Sequence, residues 1–260
     1  MIKFFADIRK YKSYILYASR AELKSEVANS FLNWLWWVLE PLCFMAIYAL
    51  VFSYFFHSKI NYLTAFIFLG ITLWEFFNKM IKSSVKLVRG NKAIVSKVYV
   101  PKYILVMVKL LVNLFKTAIS LVIVVILMAV YRIVPTWQML WFVPICLSLT
   151  LFTFGASLVV MHFGVYIDDL ANVLNIALRL MFYATGVFYN LLDKVTGNVG
   201  RWIVRLNPLA TYISCARDAL LYGRRPNLSL LGYWTIAAIV ITCFGIILIR
   251  KNENSYVKVI

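Results

Sequence analysis

The chain has 260 residues, of which 63% are hydrophobic and 14% are charged, and its formal net charge is +17. Soluble domains are about 45–50% apolar and about 25% charged, so a water-soluble globule could not hide this much apolar surface. Disorder is excluded too, because disordered segments are poor in hydrophobic residues. These numbers predict a polytopic membrane protein, in which six spans of about 20–25 residues leave no room for a large soluble domain.

The first 30 residues predict a separate amphipathic helix on the cytoplasmic side. Within residues 4–20, Phe4, Ile8, Tyr11 and Ile15 recur at helical spacing and therefore share one face. Such a helix lies in the membrane interface rather than across the membrane. An amphipathic helix packed on protein gives the same pattern, and the two interpretations are compatible.

Residues 31–260 form the predicted transmembrane domain, so the fold class is an all-α integral membrane protein with six transmembrane helices. The spans lie at about 31–56, 61–81, 104–131, 138–166, 171–190 and 230–249. Pro41 predicts a kink in the first span, because proline removes a helical hydrogen bond. Residues 191–229 carry too many charges for lipid contact and are broken at Asn207-Pro208, which predicts short re-entrant external helices before the last span.

The distribution of Lys and Arg predicts the orientation. Six lie in the amino-terminal segment and six in the 82–102 loop, against one each in the loops at 57–60 and 132–137. Cationic loops stay on the cytoplasmic side, so both termini are predicted to be cytoplasmic. The 191–229 segment is then external despite its cations, since long segments are translocated largely regardless of charge. No basic domain stands apart, so no nucleic-acid partner is predicted.

The sequence lacks the motifs of several enzyme classes. It has no GxxxxGK[ST] P-loop, no nucleophile elbow and no HExxH. We therefore predict that this chain does not hydrolyse ATP and has no catalytic residues. His57 and His162 have no metal-ligand spacing, and the four cysteines form no CxxC, so no metal, disulfide or cofactor is predicted. The adjacent Asp168 and Asp169 favour a helix cap before Ala171; the alternative is a metal-dependent membrane glycosyltransferase.

Five stretches, in this order and spacing, resemble the membrane subunit of ABC-2-type exporters of lipid-linked polysaccharides, such as O-antigen, capsule, teichoic acid and rhamnan backbones. They are Arg20–Leu42, Phe68-Leu69-Gly70 with Trp74, Phe76 and Phe77, the NKAIVSKVYVPK stretch with Asn91, Lys97 and Pro101, Val165–Asp169, and Asn207-Pro208-Leu209 with Arg217 and Gly223. The family often has Arg-Asp where this chain has Asp168-Asp169, so the arginine is missing here.

The resemblance implies a homodimer of six-span subunits in the bacterial plasma (inner) membrane. It also implies two copies of a separate ABC ATPase subunit, which would hold the ATP and Mg²⁺ and dock on the cytoplasmic loops, with Asn91, Lys97 and Pro101 in the coupling element. The implied substrate is an undecaprenyl-linked glycan that moves from the cytoplasm to the outer face, surrounded by membrane lipid. The alternative within the same fold is an ABC-2 permease for drugs or lipids.

Charged residues within the predicted spans indicate a polar pathway, because such residues usually face a bundle interior or a cavity. Glu40, Lys109, Lys116 and Arg179, together with the i,i+4 neighbours Glu75 and Lys79, are candidates for a cationic layer that receives a pyrophosphate head group. Lys109, Asn113, Lys116 and Ser120 share one face of the third span. The alternatives are snorkelling lysines and an internal ion pair between Glu40 and Arg179.

Aromatic residues, 17% of the chain, suggest how a sugar polymer could slide. The candidates are Tyr48, Phe52 and Phe55 in the outer half of the first span, and Tyr183 and Tyr189 on the fifth. The flat C–H faces of sugar rings pack on aromatic rings, and such contacts do not fix the polymer in one position as hydrogen bonds would. The alternative is lipid contact, core packing or an interfacial belt.

Overall fold

A computed structural model of the chain describes residues 2–28, 31–54, 60–95, 97, 99–189 and 205–259. Within these ranges the chain folds into α-helices joined by short turns, without strands. The helices are α1 Ile2–Lys10, α2 Lys12–Val27, α3 Trp36–Tyr54, α4 Leu63–Val85, α5 Leu87–Gly90, α6 Lys92–Val95, α7 Lys102–Val130, α8 Phe142–Tyr166, α9 Leu170–Ala184, α10 Pro208–Leu220 and α11 Leu228–Val259. The all-α prediction is confirmed.

The amino-terminal segment forms two helices rather than one, with a break at Tyr11. The predicted apolar face is confirmed, because Phe4 and Ile15 are buried and the other two residues of that face, Ile8 and Tyr11, pack against the core. The segment packs on α7, where the hydroxyl of Ser19 lies 3.3 Å from the carbonyl oxygen of Val108. Packing on protein is therefore observed, and placement in the membrane interface stays a prediction.

In the part of the chain that the structure describes, four helical segments are long and apolar enough to cross a membrane: Leu63–Val85, Lys102–Val130, Trp137–Tyr166 and Leu228–Glu253. They coincide with the second, third, fourth and last predicted spans. Two shorter apolar helices, Trp36–Phe52 and Leu170–Ala184, coincide with the first and fifth. The 15 residues of α9 extend roughly 22 Å, less than the roughly 30 Å of a hydrocarbon core, so the count of six spans stays a prediction.

Helix α4 is the central element of the bundle. It packs against α3, α7, α8, α9 and α10, and every residue from Ala65 to Trp74 is buried. A helical stretch that is enclosed on all sides needs no polar face, which explains why Ala65–Trp74 is an almost continuous run of apolar residues.

Helices α8 and α11 are in direct backbone contact along a line of small residues. A Cβ added to Gly155 would lie 2.6 Å from the hydroxyl oxygen of Thr242, and one added to Gly245 would lie 2.8 Å from the Cβ of Leu158. Thr242 also donates a hydrogen bond of 3.0 Å to the carbonyl of Leu151. Small residues permit this close approach, as in other membrane helix pairs.

The predicted break at Asn207-Pro208 is confirmed as the start of α10. The side-chain oxygen of Asn207 accepts hydrogen bonds from the N–H groups of Leu209 and Ala210, at 3.0 and 3.2 Å, and Pro208 occupies the first helical position. Both features are typical of helix amino termini. Residues 190–204 lie outside the described ranges, so the re-entrant helices and their external side remain predictions.

Candidate functional site: a cavity beside α3 and the loop at 85–102

A cavity of about 430 Å³ lies between the end of α2, helices α3, α4 and α7, and Phe182 of α9. Its charged lining residues are Glu26, Glu40, Glu75, Lys79 and Lys116. Aromatic rings form a second part of the wall, and Thr72, Asn113, Thr117 and Ser120 add polar groups. The sequence predicted Glu40, Lys116 and Tyr48 for the pathway, and all three lie here.

Ion pairs neutralise the lysines of the cavity. The ammonium group of Lys79 lies 3.5 Å from Glu40, and Lys116 forms an ion pair with Glu26 of α2. The carboxylate of Glu75 accepts hydrogen bonds from the side chain of Asn78. Since three carboxylates face two ammonium groups, the lining that the described residues form has no excess of positive charge, unlike the cationic layer that the sequence suggested.

Two other cations lie elsewhere. Arg179 is exposed on α9 because its neighbour Leu178 takes the buried position, and successive helical residues point about 100° apart. The ion pair between Glu40 and Arg179, considered from the sequence, is not observed among the described residues of this chain, where Lys79 is the partner of Glu40. Lys109 forms an ion pair with Glu22 outside this cavity, although Asn113, Lys116 and Ser120 of the same predicted face do line it.

One buried hydroxyl in the wall has no partner. Thr72 is 6% exposed, it lines the cavity, and its Oγ1 makes no hydrogen bond within the described residues. Buried polar groups are nearly always hydrogen-bonded. The Thr72 oxygen is an exception to that rule, and because the atom itself is closed to solvent, it is not a group that a ligand in the cavity reaches.

An aromatic cluster around Phe188 adjoins the cavity, since two of its rings, those of Tyr48 and Phe182, line the wall. The ring centroid of Phe188 lies 4.7 Å from those of Tyr48 and Phe52 and 5.2 Å from that of Phe182. The sequence predicted Tyr48 and Phe52 for the pathway but missed Phe188, which only the fold brings to α3. Tyr183 is exposed, and its carbonyl accepts a 2.6 Å hydrogen bond from the hydroxyl of Tyr189. Phe55 lies outside the described residues.

Arg217 of α10 holds the backbone behind this cluster. It is 5% exposed, and its guanidinium donates to the carbonyls of Phe66, Gly186 and Val187 at 2.6–3.2 Å. The guanidinium carbon lies 3.4 Å from the centroid of the Phe66 ring. A Cβ on Gly70 would lie 2.5 Å from Nη2 of Arg217. Gly70 and Arg217 both belong to the stretches that resemble the exporter family. In the sequence, the sign that Arg217 has a structural role was its charge among apolar residues.

The loop at 85–102 contains the residues predicted to couple to an ATPase, within 88–102, and it is attached to the rest of the chain at both ends. At one end Arg89 forms an ion pair with Asp168 and donates a 2.7 Å hydrogen bond to the carbonyl of Val165. Asp169 takes the N-cap position of α9, but its side chain makes no capping bond. The cap prediction is thus right about the position and wrong about the side-chain bond. Arg89, from another helix, provides the arginine that the sequence lacks next to Asp168.

At the other end of the loop, the start of α7 is bound by two carboxylates. Glu253 of α11 accepts hydrogen bonds of 3.2 Å from the backbone N–H of Lys102 and from the hydroxyl of Tyr99. Asp7 of α1 accepts one from the hydroxyl of Tyr103. Burial and the Glu253 carboxylate together raise the pKa of Tyr99.

The three predicted coupling residues take different places in this loop. Asn91 follows α5, and its side chain donates a 2.8 Å hydrogen bond to the carbonyl of Leu87. Lys97 is exposed, whereas Pro101 is buried at the N-cap of α7. Asn91 and Pro101 therefore shape the loop, and Lys97 is the one of the three that is freely accessible.

Within the described residues, no group of three or more His, Cys, Asp or Glu side chains is placed to hold a metal ion.

The known proteins that this chain resembles are transport proteins. The chain is 25% identical over 240 residues to the O-antigen export system permease protein RfbA of Klebsiella pneumoniae, covering 92% of each protein. It is also 25% identical over 225 residues to the RfbA permease of Myxococcus xanthus, covering 86% of each. The profile of the ABC-2 type transporter family matches residues 14–221. This match covers most of the chain, which therefore belongs to the ABC-2 type transporter family.

Proposed function

We propose that this chain is the transmembrane subunit of an ATP-driven exporter that moves a lipid-linked polysaccharide from the cytoplasm to the outer face of the plasma membrane. The observation that carries the proposal is the cavity, whose wall combines carboxylates, ion-paired lysines and aromatic rings. Two of these rings, Tyr48 and Phe182, contact Phe188. Its volume lies in the range of pockets that bind small ligands, about 300–1,000 Å³. Relatives named for O-antigen export support the choice of a glycan.

The chemistry of the wall suits a sugar better than a hydrophobic drug. Carboxylates such as Glu40 and Glu75, which line the cavity, accept hydrogen bonds from sugar hydroxyls. The rings of Tyr48 and Phe182 offer flat apolar surface. Lys79 and Lys116 are the cations that can meet a phosphate, by exchanging their carboxylate partners for it.

We further propose that the transporter is a homodimer with two ATPase subunits. Helix α3 has no buried residue among those described, and α9 has only Leu178. Both helices flank the cavity and expose large apolar side chains, including Phe44, Leu50, Ile176 and Leu180. A second copy covering α3 and α9 would enclose the cavity between two membrane halves. The loop at 85–102 is the proposed docking element for the ATPase.

The glycosyltransferase alternative loses its support, since Asp168 and Asp169, the two carboxylates on which it rested, take structural positions. Asp168 is held by Arg89, and Asp169 starts α9. A drug or lipid permease of the same family stays the competing function, and the experiment is designed to separate the two.

The decisive experiment reconstitutes the chain into liposomes with and without its ATPase subunit. The chain alone should hydrolyse no ATP, whereas the complex should be stimulated by a polyprenyl-linked glycan and should deliver it to the opposite leaflet. Phe188→Ala should reduce this stimulation, and Tyr233→Ala, which removes an exposed ring of α11, serves as the matched control. Stimulation by hydrophobic drugs but not by the glycan would refute the proposed substrate class.

A further inference from the structure

A second cavity, an open groove of about 680 Å³, lies about one turn earlier along α2 than the first and shares no lining residue with it. Its walls are α2, the end of α4, α5 and the first turns of α7. Three lysines, Lys82, Lys86 and Lys109, line it together with one carboxylate, Glu22. The groove therefore carries an excess of two positive charges, in contrast to the acidic lining of the first cavity.

Two of these lysines are available to a ligand. Glu22 is paired with Lys109, whereas Lys82 and Lys86 are exposed and have no carboxylate partner in the described part of the chain. The two residues are four positions apart and so project on the same side. The nearby hydroxyls of Ser25 and Ser83 donate to carbonyls of their own helices. The ammonium groups are therefore the free donors of the groove.

The position of the groove indicates the ligand. Lys109 is seven residues into α7, about 10 Å from its start, so the groove opens near one end of the spans. The adjoining α1 and α2 expose Phe5, Leu16 and Tyr17, as a helix pair does when it rests at the level of the lipid head groups. Basic pockets between helices at this level bind acidic head groups.

We propose that this groove binds the phosphate of an anionic membrane lipid, held by Lys82 and Lys86 between α2 and the end of α4. Two membrane lipids carry this chemistry, a glycerophospholipid and a polyprenyl pyrophosphate. The site is separate from the cavity of the proposed export function. It holds whether or not the chain exports a glycan. A bound lipid would join the amino-terminal helices to the loop at 85–102.

The test uses the full chain in nanodiscs of phosphatidylcholine mixed with phosphatidylglycerol, and native mass spectrometry of the lipids retained after mild delipidation. The double variant Lys82→Ala/Lys86→Ala should lose roughly 30-fold in preference for phosphatidylglycerol, since each ammonium group near the surface contributes about fivefold. The control Lys12→Ala/Lys251→Ala removes the same charge from exposed positions outside the groove and should keep the preference. Lys82→Arg/Lys86→Arg should keep it as well.

A second set of nanodiscs replaces phosphatidylglycerol by a polyprenyl pyrophosphate and identifies the source of the phosphate. Loss of retention by the groove variant in either set, with the control unaffected, supports the site and assigns its lipid. Equal loss in both double variants would mean that surface charge alone attracts the lipid, which overturns the proposal. Unchanged lipid retention with weakened binding of the ATPase subunit would also overturn it, and would assign the groove to that protein.

Discussion

Replacing Arg217 by methionine should destabilise the helical bundle by about 2–6 kcal/mol. The guanidinium donates to the carbonyl of Phe66, which keeps its partner within α4, and to the carbonyls of Gly186 and Val187. Loss of the arginine leaves these last two carbonyls unpaired, at a cost of about 1–3 kcal/mol each. Arg217→Lys should recover only part of the loss, because a single ammonium group cannot reproduce the planar fork.

Gly70→Ala tests the same contact from the other side. The added Cβ would lie 2.5 Å from Nη2 of Arg217 and 3.3 Å from the carbonyl oxygen of Val187, so the guanidinium must move and give up hydrogen bonds. Gly232→Ala is the matched control, because a Cβ there meets nothing within 4 Å. In the control, the better helix propensity of alanine should leave stability unchanged or raise it by up to about 1 kcal/mol.

The measurement is denaturant unfolding of the purified chain in mild detergent. Gly70→Ala should lower the midpoint, and adding it to Arg217→Met should cost little more, since the two changes act on one contact and are not additive. If Arg217→Met unfolds at the wild-type midpoint, or if Gly70→Ala behaves like Gly232→Ala, the guanidinium does not hold α4, α10 and the 186–188 turn together.

Two further predictions concern the attachments of the loop at 85–102. Arg89→Asp and Asp168→Arg should each reduce export in cells, and the combined charge exchange should restore it; an exchange as defective as the single variants would show that the bond to Val165 matters instead. Because Asp168 is largely exposed, stability should change by no more than about 1 kcal/mol. Glu253→Ala should cost about 0.5–2 kcal/mol of unfolding free energy, as loss of a helix cap does, whereas Glu253→Gln, which keeps an acceptor for the N–H of Lys102, should cost less.

Local patterns in the sequence predicted the helices well. The burial of Phe4 and Ile15 followed from helical spacing. The break predicted at Asn207-Pro208 is where α10 starts, and the structure adds the capping bonds of Asn207. The enclosed stretch Ala65–Trp74 of α4 matches a part of the sequence that is almost wholly apolar. In each of these cases the information lies within a few residues of the feature.

Pairings between distant residues could not be predicted in the same way. Glu40 could have met either Lys79 or Arg179, and the choice depends on how far α9 is rotated about its axis, which Leu178 decides by burial. Phe188 stands in a turn with no periodic pattern, so nothing local placed it beside Phe52. The acidic character of the first cavity arises because α2 contributes Glu26, from a segment outside the predicted spans.

The close packing of α8 on α11 also bears on how the protein is made. Thr242 and its partner Leu151 are 91 residues apart in the chain, so at about 5–20 residues per second α8 waits roughly 5–18 s for its neighbour to be synthesised. During that time Leu151, Gly155 and Leu158, which form the α8 face in contact with α11, lack the helix that will cover them. The last helix therefore completes the bundle, and a ribosome that stops before residue 228 leaves a chain whose α8 surface invites capture by membrane quality control.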